Sequence, residues 1–531
     1  MKKRKLTGLV LATCMLGTTM SSGMAMATEA EAYDANNPPV ATVEQGQLMG
    51  FMDDDTFTFL GVPYAQAERF EEPQAVEAWD GIRSAQAYGT VCPIPDQTSV
   101  GEDEMFWPHR YWIQNEDCQN LNIWTQSLDS EAKKPVLVFF HGGGYTNGSS
   151  IESAAYDGKN LSDYGDVVVV TVNHRLNVLG FLDLSEYGEE YANTANLGME
   201  DCVAALQWVK DNIEAFGGDP DNVTIFGQSG GGGKVLSLMH MPSAEGLFQK
   251  VVVHSGSTSY IDEEADKQIA AQTLENLGID ESNIDEIKTV DYHDLIQAGT
   301  DACTTVSEEL GSSVKWTPQA DGEVILEDYC DWSADIPVMV GSVFAEQNHT
   351  WTCEYGNKNE WTEEETMEYL TEKYGDSAET IAEEFQKVYP DRPLADVYFY
   401  DGARRIRVEQ TLADRMEKGS APVYNFLFSY EAPVDGGILA FHCSDLIYTF
   451  HNVDIPVVTR ATGGNEDAHR IQDQMASAWI NFATTGDPST DELSWAPYTA
   501  EEKNVMVFDV ESGCGILGDE TLNQLISDAL S

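Results

Sequence analysis

Basic residues are scarce in this sequence. Its 531 residues include 29 Lys and Arg against 90 Asp and Glu, which gives a formal net charge of −61. Nucleic acids and anionic membranes repel a surface of this charge, so nucleic acid is excluded as a partner. Solubility, or adaptation to a salty or acidic exterior, accounts for such a composition. The alternative is that the acidic surface steers cationic small molecules toward a site.

Long hydrophobic runs are also missing beyond the N-terminus, and no segment there predicts a membrane span. At the N-terminus, basic residues at positions 2–5 precede an apolar stretch at 6–20 that is too short to span a bilayer. Ala25-Met26-Ala27 then offers a cleavage site. This pattern predicts a signal peptide over residues 1–27 and a secreted, extracellular protein.

The remaining chain predicts a short leader and one domain. We expect residues 28–40 to be a flexible leader and residues 41–531 to form a single domain, since large α/β enzymes often carry long insertions in one domain. A lipid anchor at Cys14 is a minor alternative, because Thr13 fits a lipoprotein signal poorly.

Metal-ligand spacing is absent as well, because no C-x-x-C pair occurs and structural zinc is therefore not predicted. Eight cysteines follow the predicted signal peptide, an even number that permits disulfides in an exported protein. Spacing alone does not give their pairing. They are Cys92, Cys118, Cys202, Cys303, Cys330, Cys353, Cys443 and Cys514.

Short apolar runs alternate with amphipathic segments along the chain. A helix is predicted over 198–216, where Leu206, Val209 and Ile213 share one face. The acidic segment 360–420 predicts a helical insertion. Alternating strands and helices indicate a mostly parallel sheet covered on both faces, with its site at the carboxyl ends of the strands. The strands are predicted at 135–140, 166–172, 223–226, 250–254, 336–341, 423–429 and 505–509.

Gly227-Gln228-Ser229-Gly230-Gly231 fits the pattern G-x-S-x-G. It follows a predicted strand and precedes a helix-like apolar run, which is the context of a strained turn that presents a nucleophilic serine. Ser229 is therefore the candidate nucleophile, and an ordinary loop serine is the alternative. The four glycines from Gly230 to Gly233 are explained by close approach of a substrate, by tight packing of the helix, or by both.

A second glycine-rich loop, His141-Gly142-Gly143-Gly144, directly follows the strand predicted at 135–140. Backbone N–H groups of such a loop can stabilise a developing oxyanion. A plain turn or a phosphate-binding loop are the alternatives, but no G-K-[ST] sequence follows.

A serine nucleophile needs a base, and the base needs an acid that orients it. In chain order the acid follows the serine and the histidine comes last. Glu346 lies just after the strand predicted at 336–341, and His442 lies in a loop after the strand at 423–429. They are the candidate acid and base, although six other histidines follow Ser229 and either residue could be an ordinary surface group.

At this point the sequence resembles the type-B carboxylesterase family from about residue 40 to the C-terminus. The resemblance rests on motifs that occur in order: Phe59 to Ala65, Glu116 to Asn122, His141 to Gly144, Asn173 to Leu176, Phe216 to Pro220, the serine motif, His254 to Ser257, Gly341 to Gln347, His442 to Leu446 and Trp479 to Ala483. It implies the α/β-hydrolase fold, with a mostly parallel central sheet, flanking helices and helical insertions over the site.

The resemblance also implies roles for individual residues. Ser229, Glu346 and His442 would form the catalytic triad. Backbone N–H groups of Gly143, Gly144 and Gly230 would form the oxyanion hole. Cys92 and Cys118 would form a disulfide, and the loop between them would bring Trp107 and Trp112 to the substrate pocket beside Gln228.

The sequence departs from the family pattern at two positions next to the serine. Gln228 replaces the usual Glu, which removes a negative charge and weakens any preference for cationic substrates. Gly230 replaces the usual Ala, so a looser oxyanion hole is expected.

The expected activity is hydrolysis of a small-molecule carboxylic ester, of short to medium chain or with an aryl group, without metal or cofactor. A lipase or an aromatic-acid esterase of the same fold is the alternative. A binding module that lacks catalysis is the rival from another class. The sequence does not set the oligomeric state.

Overall fold

The predicted strands assemble into one large, mostly parallel sheet. A computed structural model describes residues 38–347 and 349–531 of the chain, so the predicted signal peptide, Cys14 and most of the leader lie outside the described residues. Within those residues the sheet has eleven strands. The strands of the described chain are β1 (Val40–Val43), β2 (Gly46–Met49), β3 (Phe51–Asp53), β4 (Thr56–Pro63), β5 (Ala65–Gln66), β6 (Gln74–Ala75), β7 (Ile82–Ser84), β8 (Asn120–Thr125), β9 (Lys134–Phe140), β10 (Val168–Val172), β11 (Gly218–Gln228), β12 (Lys250–His254), β13 (Val338–Val343), β14 (Val423–Phe428), β15 (Asn504–Phe508) and β16 (Gly513–Ile516).

The strand order in the large sheet is β16-β15-β14-β13-β12-β11-β9-β10-β8-β4-β3. The pairs from β10 to β15 are parallel, and the outer strands β16, β8, β4 and β3 pair antiparallel. Two small sheets, β1-β2-β7 and β5-β6, complete the strands of the described residues.

The helices cover both faces of the sheet, which confirms the predicted α/β class. They are α1 (Lys159–Gly165), α2 (Asn177–Phe181), α3 (Leu197–Asn212), α4 (Gly230–Leu238), α5 (Glu263–Leu277), α6 (Tyr292–Leu310), α7 (Glu363–Tyr374), α8 (Ala378–Val388), α9 (Gly402–Lys418), α10 (Asp445–Thr449), α11 (Thr459–Thr462), α12 (Glu466–Thr485) and α13 (Glu520–Leu530). None of the helices in the described chain is long and apolar enough to cross a membrane.

The central strands read as continuous apolar runs because they are buried on both faces. In β9, Val136 and Val138 point into one core while Leu137 and Phe139 point into the other. This alternation divides the interior into two apolar layers. Helices α3 and α4 cover the first layer, and α1 and α12 cover the second.

Most predicted elements are confirmed, with shifts at their ends. The strand at 250–254 has the predicted bounds, but β10 begins only at Val168 because Asp166 is left-handed, with φ 52°, and ends α1. The helix predicted at 198–216 becomes a 3₁₀ turn after Asn212. The insertion at 360–420 is helical and contains α7, α8 and α9.

Candidate active site

The carboxyl ends of the parallel strands bring the candidate residues to one edge of the sheet. His141 follows β9, Ser229 follows β11, and Glu346 lies three residues beyond β13. An isolated β-bridge pairs Ala345 with Phe441, and this places His442 beside Glu346. The sheet therefore brings together candidate residues that are far apart in the sequence.

Ser229 lies in a strained turn between β11 and α4. Its backbone has φ 56° and ψ −121°, a conformation that residues with a side chain rarely adopt. A hydrogen bond of 2.8 Å from its N–H to the carbonyl oxygen of His254 holds the turn in place. The half-buried Ser229 lines the main cavity at this edge, as a nucleophile must.

Packing accounts for the glycines that follow Ser229. A Cβ atom on Gly231 would lie 2.0 Å from the carbonyl oxygen of Phe140, and one on Gly230 would lie 2.2 Å from that of Gly144. Both distances are impossible for real Cβ atoms, so α4 lies closer to the loops around it than alanine would allow. The expected loosening of the oxyanion hole at Gly230 is therefore wrong, because the loop occupies the space of the missing methyl group.

His442 and Glu346 form a short ion-pair-like contact. Nδ1 of His442 lies 2.5 Å from Oε2 of Glu346, and the other oxygen of Glu346 accepts a hydrogen bond of 3.0 Å from the N–H of Val343. Glu346 is fully buried, whereas the His442 side chain keeps 23% of its surface exposed to the cavity. This arrangement fixes the imidazole with Nδ1 toward the acid and leaves Nε2 for proton transfer.

The electrostatics of Glu346 suit an orienting acid. Burial alone would raise the pKa of this carboxyl group, but its hydrogen bond to His442 and the charges of His442 and Arg404 lower the pKa below its ordinary value of 4.5. Glu346 is therefore ionised at neutral pH and can stabilise a protonated His442.

Gln228 contacts the free nitrogen of the candidate base. Its side-chain amide nitrogen lies 3.1 Å from Nε2 and 3.4 Å from Nδ1 of His442. Gln228 itself is buried and lines the cavity. An atom nearly equidistant from both ring nitrogens lies over the imidazole ring, so Gln228 leaves the in-plane lone pair of Nε2 open.

The loop from His141 to Gly144 lies against the turn of Ser229. Gly143 and Gly144 have positive φ angles of 81° and 62°, which glycine adopts without strain. Both are exposed, and Gly143 lines the cavity together with Ser229. Nδ1 of His141 lies 2.9 Å from the carbonyl oxygen of Gly142, the peptide group that supplies the N–H of Gly143. The three glycines predicted for the oxyanion hole are therefore adjacent.

The cavity has a volume of about 390 Å³, and its walls combine aromatic and polar side chains. Trp107 is one of the walls, as predicted. Trp112 is not, and its assignment to the substrate pocket is wrong: it lies on the outer surface, 39% exposed, with its ring edge-on to Tyr88.

Several lining residues were not predicted from the sequence. They are the aromatic residues Tyr156, Trp351 and Phe441, the carboxylates Glu104 and Glu152, and the histidines His109 and His349. Only Phe441 carried a signal, because it directly precedes His442. The others come from segments whose place at the cavity depends on tertiary packing.

Cys92 and Cys118 are adjacent and carry no disulfide bond in the structure, so the disulfide stays a prediction. The Cys118 thiol hydrogen bonds to Cys92, and this bond together with burial raises the pKa of Cys118 well above its ordinary value. The sulfur of Cys92 also accepts a bond of 3.3 Å from the N–H of Leu176. The resemblance predicted the proximity of the two side chains, which does not fix their oxidation state.

A second histidine–carboxylate pair lies beneath the turn of Ser229. Nδ1 of His254 is 2.6 Å from Oδ2 of Asp445, and both side chains are fully buried. The indole N–H of Trp479 donates to Nε2 of His254 over 3.0 Å. Both nitrogens of His254 are thus occupied, and this pair can hold elements together but cannot act as a base.

A strained serine turn, a histidine–glutamate pair and a glycine loop at the carboxyl edge of this sheet fit the α/β-hydrolase class. Comparison with known proteins agrees. Residues 37–515 match the Carboxylesterase family. The chain is 32% identical to the para-nitrobenzyl esterase of Bacillus subtilis (strain 168) over 482 residues, which is 89% of this chain and 95% of that protein.

Further similarities extend over most of the chain. The phenmedipham hydrolase of Pseudarthrobacter oxydans is 30% identical over 88% of this chain and 94% of its own length. A solved structure of an esterase from anaerobic Clostridium hathewayi, described as able to hydrolyse aliphatic aromatic polyesters, has a TM-score of 0.86 and 40% identity. That match covers 93% of this chain and 99% of the other. The chain belongs to the Carboxylesterase family and is a carboxylic ester hydrolase.

Proposed function

We propose that the protein is a secreted serine carboxylesterase for short- to medium-chain or aryl esters, with Ser229, His442 and Glu346 as its catalytic triad. The observation that carries this proposal is the 2.5 Å contact between His442 and Glu346 at the cavity that Ser229 also lines. An intact triad argues against a binding module without catalysis.

The proposed reaction is a two-step acyl transfer. Neutral His442 accepts the Ser229 hydroxyl proton while the serine oxygen attacks the ester carbonyl carbon. The N–H groups of Gly143, Gly144 and Gly230 stabilise the oxyanion of the tetrahedral intermediate. Protonated His442 then donates its proton to the leaving alcohol, and an acyl-enzyme remains. Water, deprotonated by His442, attacks this acyl group and releases the acid and Ser229.

Gln228 does not compete with Ser229 for the in-plane lone pair of Nε2 on His442. Its amide nitrogen is 3.1 Å from Nε2 and 3.4 Å from Nδ1, so it lies over the imidazole ring. The serine hydroxyl can therefore approach Nε2 without displacement of Gln228.

The wall chemistry supports uncharged aryl or alkyl esters. Trp107, Tyr156, Trp351 and Phe441 offer apolar surface for an aromatic or branched group in about 390 Å³. Glu104 and Glu152 line the same cavity, and their carboxylates disfavour the acidic product once it is released. Two relatives are named for their substrates, para-nitrobenzyl esters and phenmedipham, and these names agree with the aryl class.

The test is hydrolysis of p-nitrophenyl esters from acetate to palmitate by the mature protein and by Ser229→Ala. We expect a short- or medium-chain optimum that the substitution abolishes. An optimum at palmitate would indicate a lipase instead. A folded wild type that neither turns over any ester nor reacts stoichiometrically with an organophosphate label would favour the binding module.

A matched pair of tryptophan variants tests the aryl preference. Trp351 lines the cavity, and Trp112 does not. Trp351→Leu should raise KM for aryl esters by about fivefold, since an aromatic contact is worth about 1 kcal/mol. Trp112→Leu should leave KM unchanged. Equal effects of the two substitutions would contradict the assignment of the wall.

A second candidate substrate is a polymeric aliphatic–aromatic ester. The segment between Cys92 and Cys118 lines part of the cavity and also exposes large apolar side chains. We call this exposed set the rim: Val100, Met105, Tyr111, Trp112 and Ile113. Exposed apolar patches of this kind suit contact with an uncharged surface, and the esterase from Clostridium hathewayi is described as acting on polyesters.

The rim separates the two candidates experimentally. The double variant Trp112→Ser/Ile113→Ser should lose release of aromatic acid from a polyester film while hydrolysis of p-nitrophenyl acetate persists. If the film and the soluble ester respond alike, the rim does not bind the polymer.

Secretion is the remaining part of the proposal, and the N-terminal pattern supports it. Expression of the full chain in a bacterial host should yield a mature protein outside the cytoplasm with Thr28 as its first residue. A protein that keeps residues 1–27 and stays in the cytoplasm would refute it.

A further inference from the structure

Lys234 is a fully buried lysine on the helix that follows the nucleophile. It lies five residues after Ser229, on α4, and has no exposed surface. Its ammonium group donates to the carbonyl oxygens of His141 and Gly144, each over 3.0 Å. These two residues begin and end the loop that contains Gly143, so one side chain links α4 to both ends of the oxyanion loop.

The charge of Lys234 has no ion-pair partner among the described residues. Three buried cations do have one: Arg175 pairs with Asp201, Lys358 with Asp396, and Arg405 with Asp519. Arg415 and Lys250 hydrogen bond to the uncharged Ser333 and Asn222. The ammonium nitrogen of Lys234 has the two carbonyl oxygens and the ring of Tyr145, whose centroid lies 5.3 Å away. An unpaired buried charge is costly, so a neutral side chain would serve a purely structural role better.

We infer that Lys234 is a positioning residue of the oxyanion hole, which fixes the loop from His141 to Gly144 and adds a positive charge behind it. This inference rests on the proposed function. Negative charge develops on the substrate carbonyl oxygen as Ser229 attacks, and that oxygen faces the loop that Lys234 holds. In a site shielded from water, a preorganised positive charge stabilises this state without rearrangement.

Among Lys234 and the titratable groups around it, Lys234 is the group that changes its charge in mildly alkaline solution. Burial and the charge of Lys234 lower the pKa values of His141 and His174 well below 6.5, so both rings are neutral. Burial raises the pKa values of Tyr145, Cys202 and Glu152. Burial lowers the pKa of Lys234 from 10.5 to about 8. Turnover should therefore fall as the pH rises through about 8 and the ammonium group loses its proton.

Two substitutions separate the charge from the hydrogen bonds. Lys234→Gln keeps a donor without charge, and Lys234→Met removes both. We expect both variants to lose kcat by at least about tenfold at pH 7, with KM within about twofold and without the alkaline fall seen in the wild type. A Lys234→Gln variant with the wild-type kcat and pH profile would overturn the inference.

The matched control is Lys250→Gln. Lys250 is also buried, and its pKa is also lowered to about 8 by burial, but it begins β12 at the opposite end of the sheet. Its substitution should leave kcat and the alkaline fall unchanged. If Lys250→Gln removes the alkaline fall, Lys234 is not its cause and the inference fails.

Titration with an organophosphate distinguishes this inference from the proposed function. Each variant should bind one label at Ser229, more slowly than the wild type but to completion. A wild type that takes no label contradicts the proposed function itself. A fully labelled Lys234→Met with wild-type kcat contradicts only the role of Lys234.

A measurement on the wild type covers the case in which the variants do not fold. A trifluoromethyl ketone forms an oxyanion adduct with the serine, and its affinity should weaken by about tenfold between pH 7 and 9.5, because the oxyanion and the ammonium charge stabilise each other reciprocally. Constant affinity across that range would overturn the inference.

Discussion

Two histidine–carboxylate pairs lie close to the turn of Ser229, and they look alike at the carboxylate side. Nδ1 of His442 is 2.5 Å from Glu346, and Nδ1 of His254 is 2.6 Å from Asp445. Each carboxylate belongs to a segment distant in the sequence from its histidine. The pairs differ at the other nitrogen, where His442 meets the Gln228 amide at the cavity and His254 meets the indole of Trp479 in the core.

The difference shows that the carboxylate contact alone does not make a catalytic base. His254 is fully buried and held on both sides, so it ties the end of β12 to α10 and α12. His442 is partly open to the cavity, and the Gln228 amide lies over its ring, outside the in-plane direction of the Nε2 lone pair. A base requires a lone pair that the nucleophile can reach, and only His442 of these two histidines offers it.

The effects on kcat should differ most between the variants His442→Gln and His254→Gln. His442→Gln should lower kcat by about 10⁴-fold or more, because the reaction loses its general base, while the midpoint of urea unfolding stays near that of the wild type. Steady-state hydrolysis of p-nitrophenyl acetate and urea titration measure the two quantities. If His442→Gln keeps more than a tenth of the activity, His442 is not the base.

Glu346→Gln should have the next largest effect. It keeps the size of the side chain but removes the charge that orients and stabilises protonated His442, so kcat should fall by about 10³-fold. Its stability effect depends on pH. The pKa of Glu346 is lower in the folded chain than its ordinary 4.5, so its contribution is present above about pH 4.5 and is lost as the pH falls through the folded value.

That dependence gives Glu346→Gln a second readout. Unfolding free energies of the wild type and the variant should converge as the pH falls through the folded pKa of Glu346 and should separate as the pH rises to about 4.5. A difference that is constant with pH would mean that the ionised carboxylate does not contribute to folding.

His254→Gln should lower the stability of the protein more than its activity, the opposite of His442→Gln. It leaves Asp445 as a buried carboxylate without its donor and the indole of Trp479 without its acceptor, so unfolding should become easier by about 2–4 kcal/mol. Activity of the folded variant should fall less than tenfold. The control is His469→Gln, which breaks an exposed pair with Asp454 and should cost under about 0.5 kcal/mol.

The opposite outcome for His254→Gln would change the interpretation of the core pair. A loss of kcat comparable to that of His442→Gln, in a variant that unfolds like the wild type, would place His254 in the proton-transfer path. The structure gives no such path, since both ring nitrogens already have partners.

Much of this arrangement could be predicted from local sequence. The central strands appear as short apolar runs because both faces of the sheet are buried. The turn of Ser229 and the loop at His141 are each formed by a contiguous sequence motif. These signals need no knowledge of distant contacts, and the predicted strands and the α/β class are confirmed in the structure.

The parts that could not be predicted depend on pairs of distant segments. Chain order favoured His442 over His254, but the sequence did not show that His254 has a carboxylate partner of its own in Asp445. Trp351 and Glu152 reach the cavity through packing of segments without a motif. Lys234 interrupts glycines and apolar residues, and its role emerges only when the carbonyl oxygens of the oxyanion loop are placed beside it.

Gln228→Glu should have the smallest effect and tests the partner at Nε2 of His442. A carboxylate at that position would favour the protonated imidazole, which the Gln228 amide does not. The acid limb of kcat/KM should therefore move up by about one pH unit, while kcat on the plateau changes less than about threefold. Gln119→Glu, at a buried glutamine that hydrogen bonds to Asp201 instead, is the control and should leave the limb in place. An unmoved limb in Gln228→Glu would mean that the side chain at position 228 does not influence the protonation of His442.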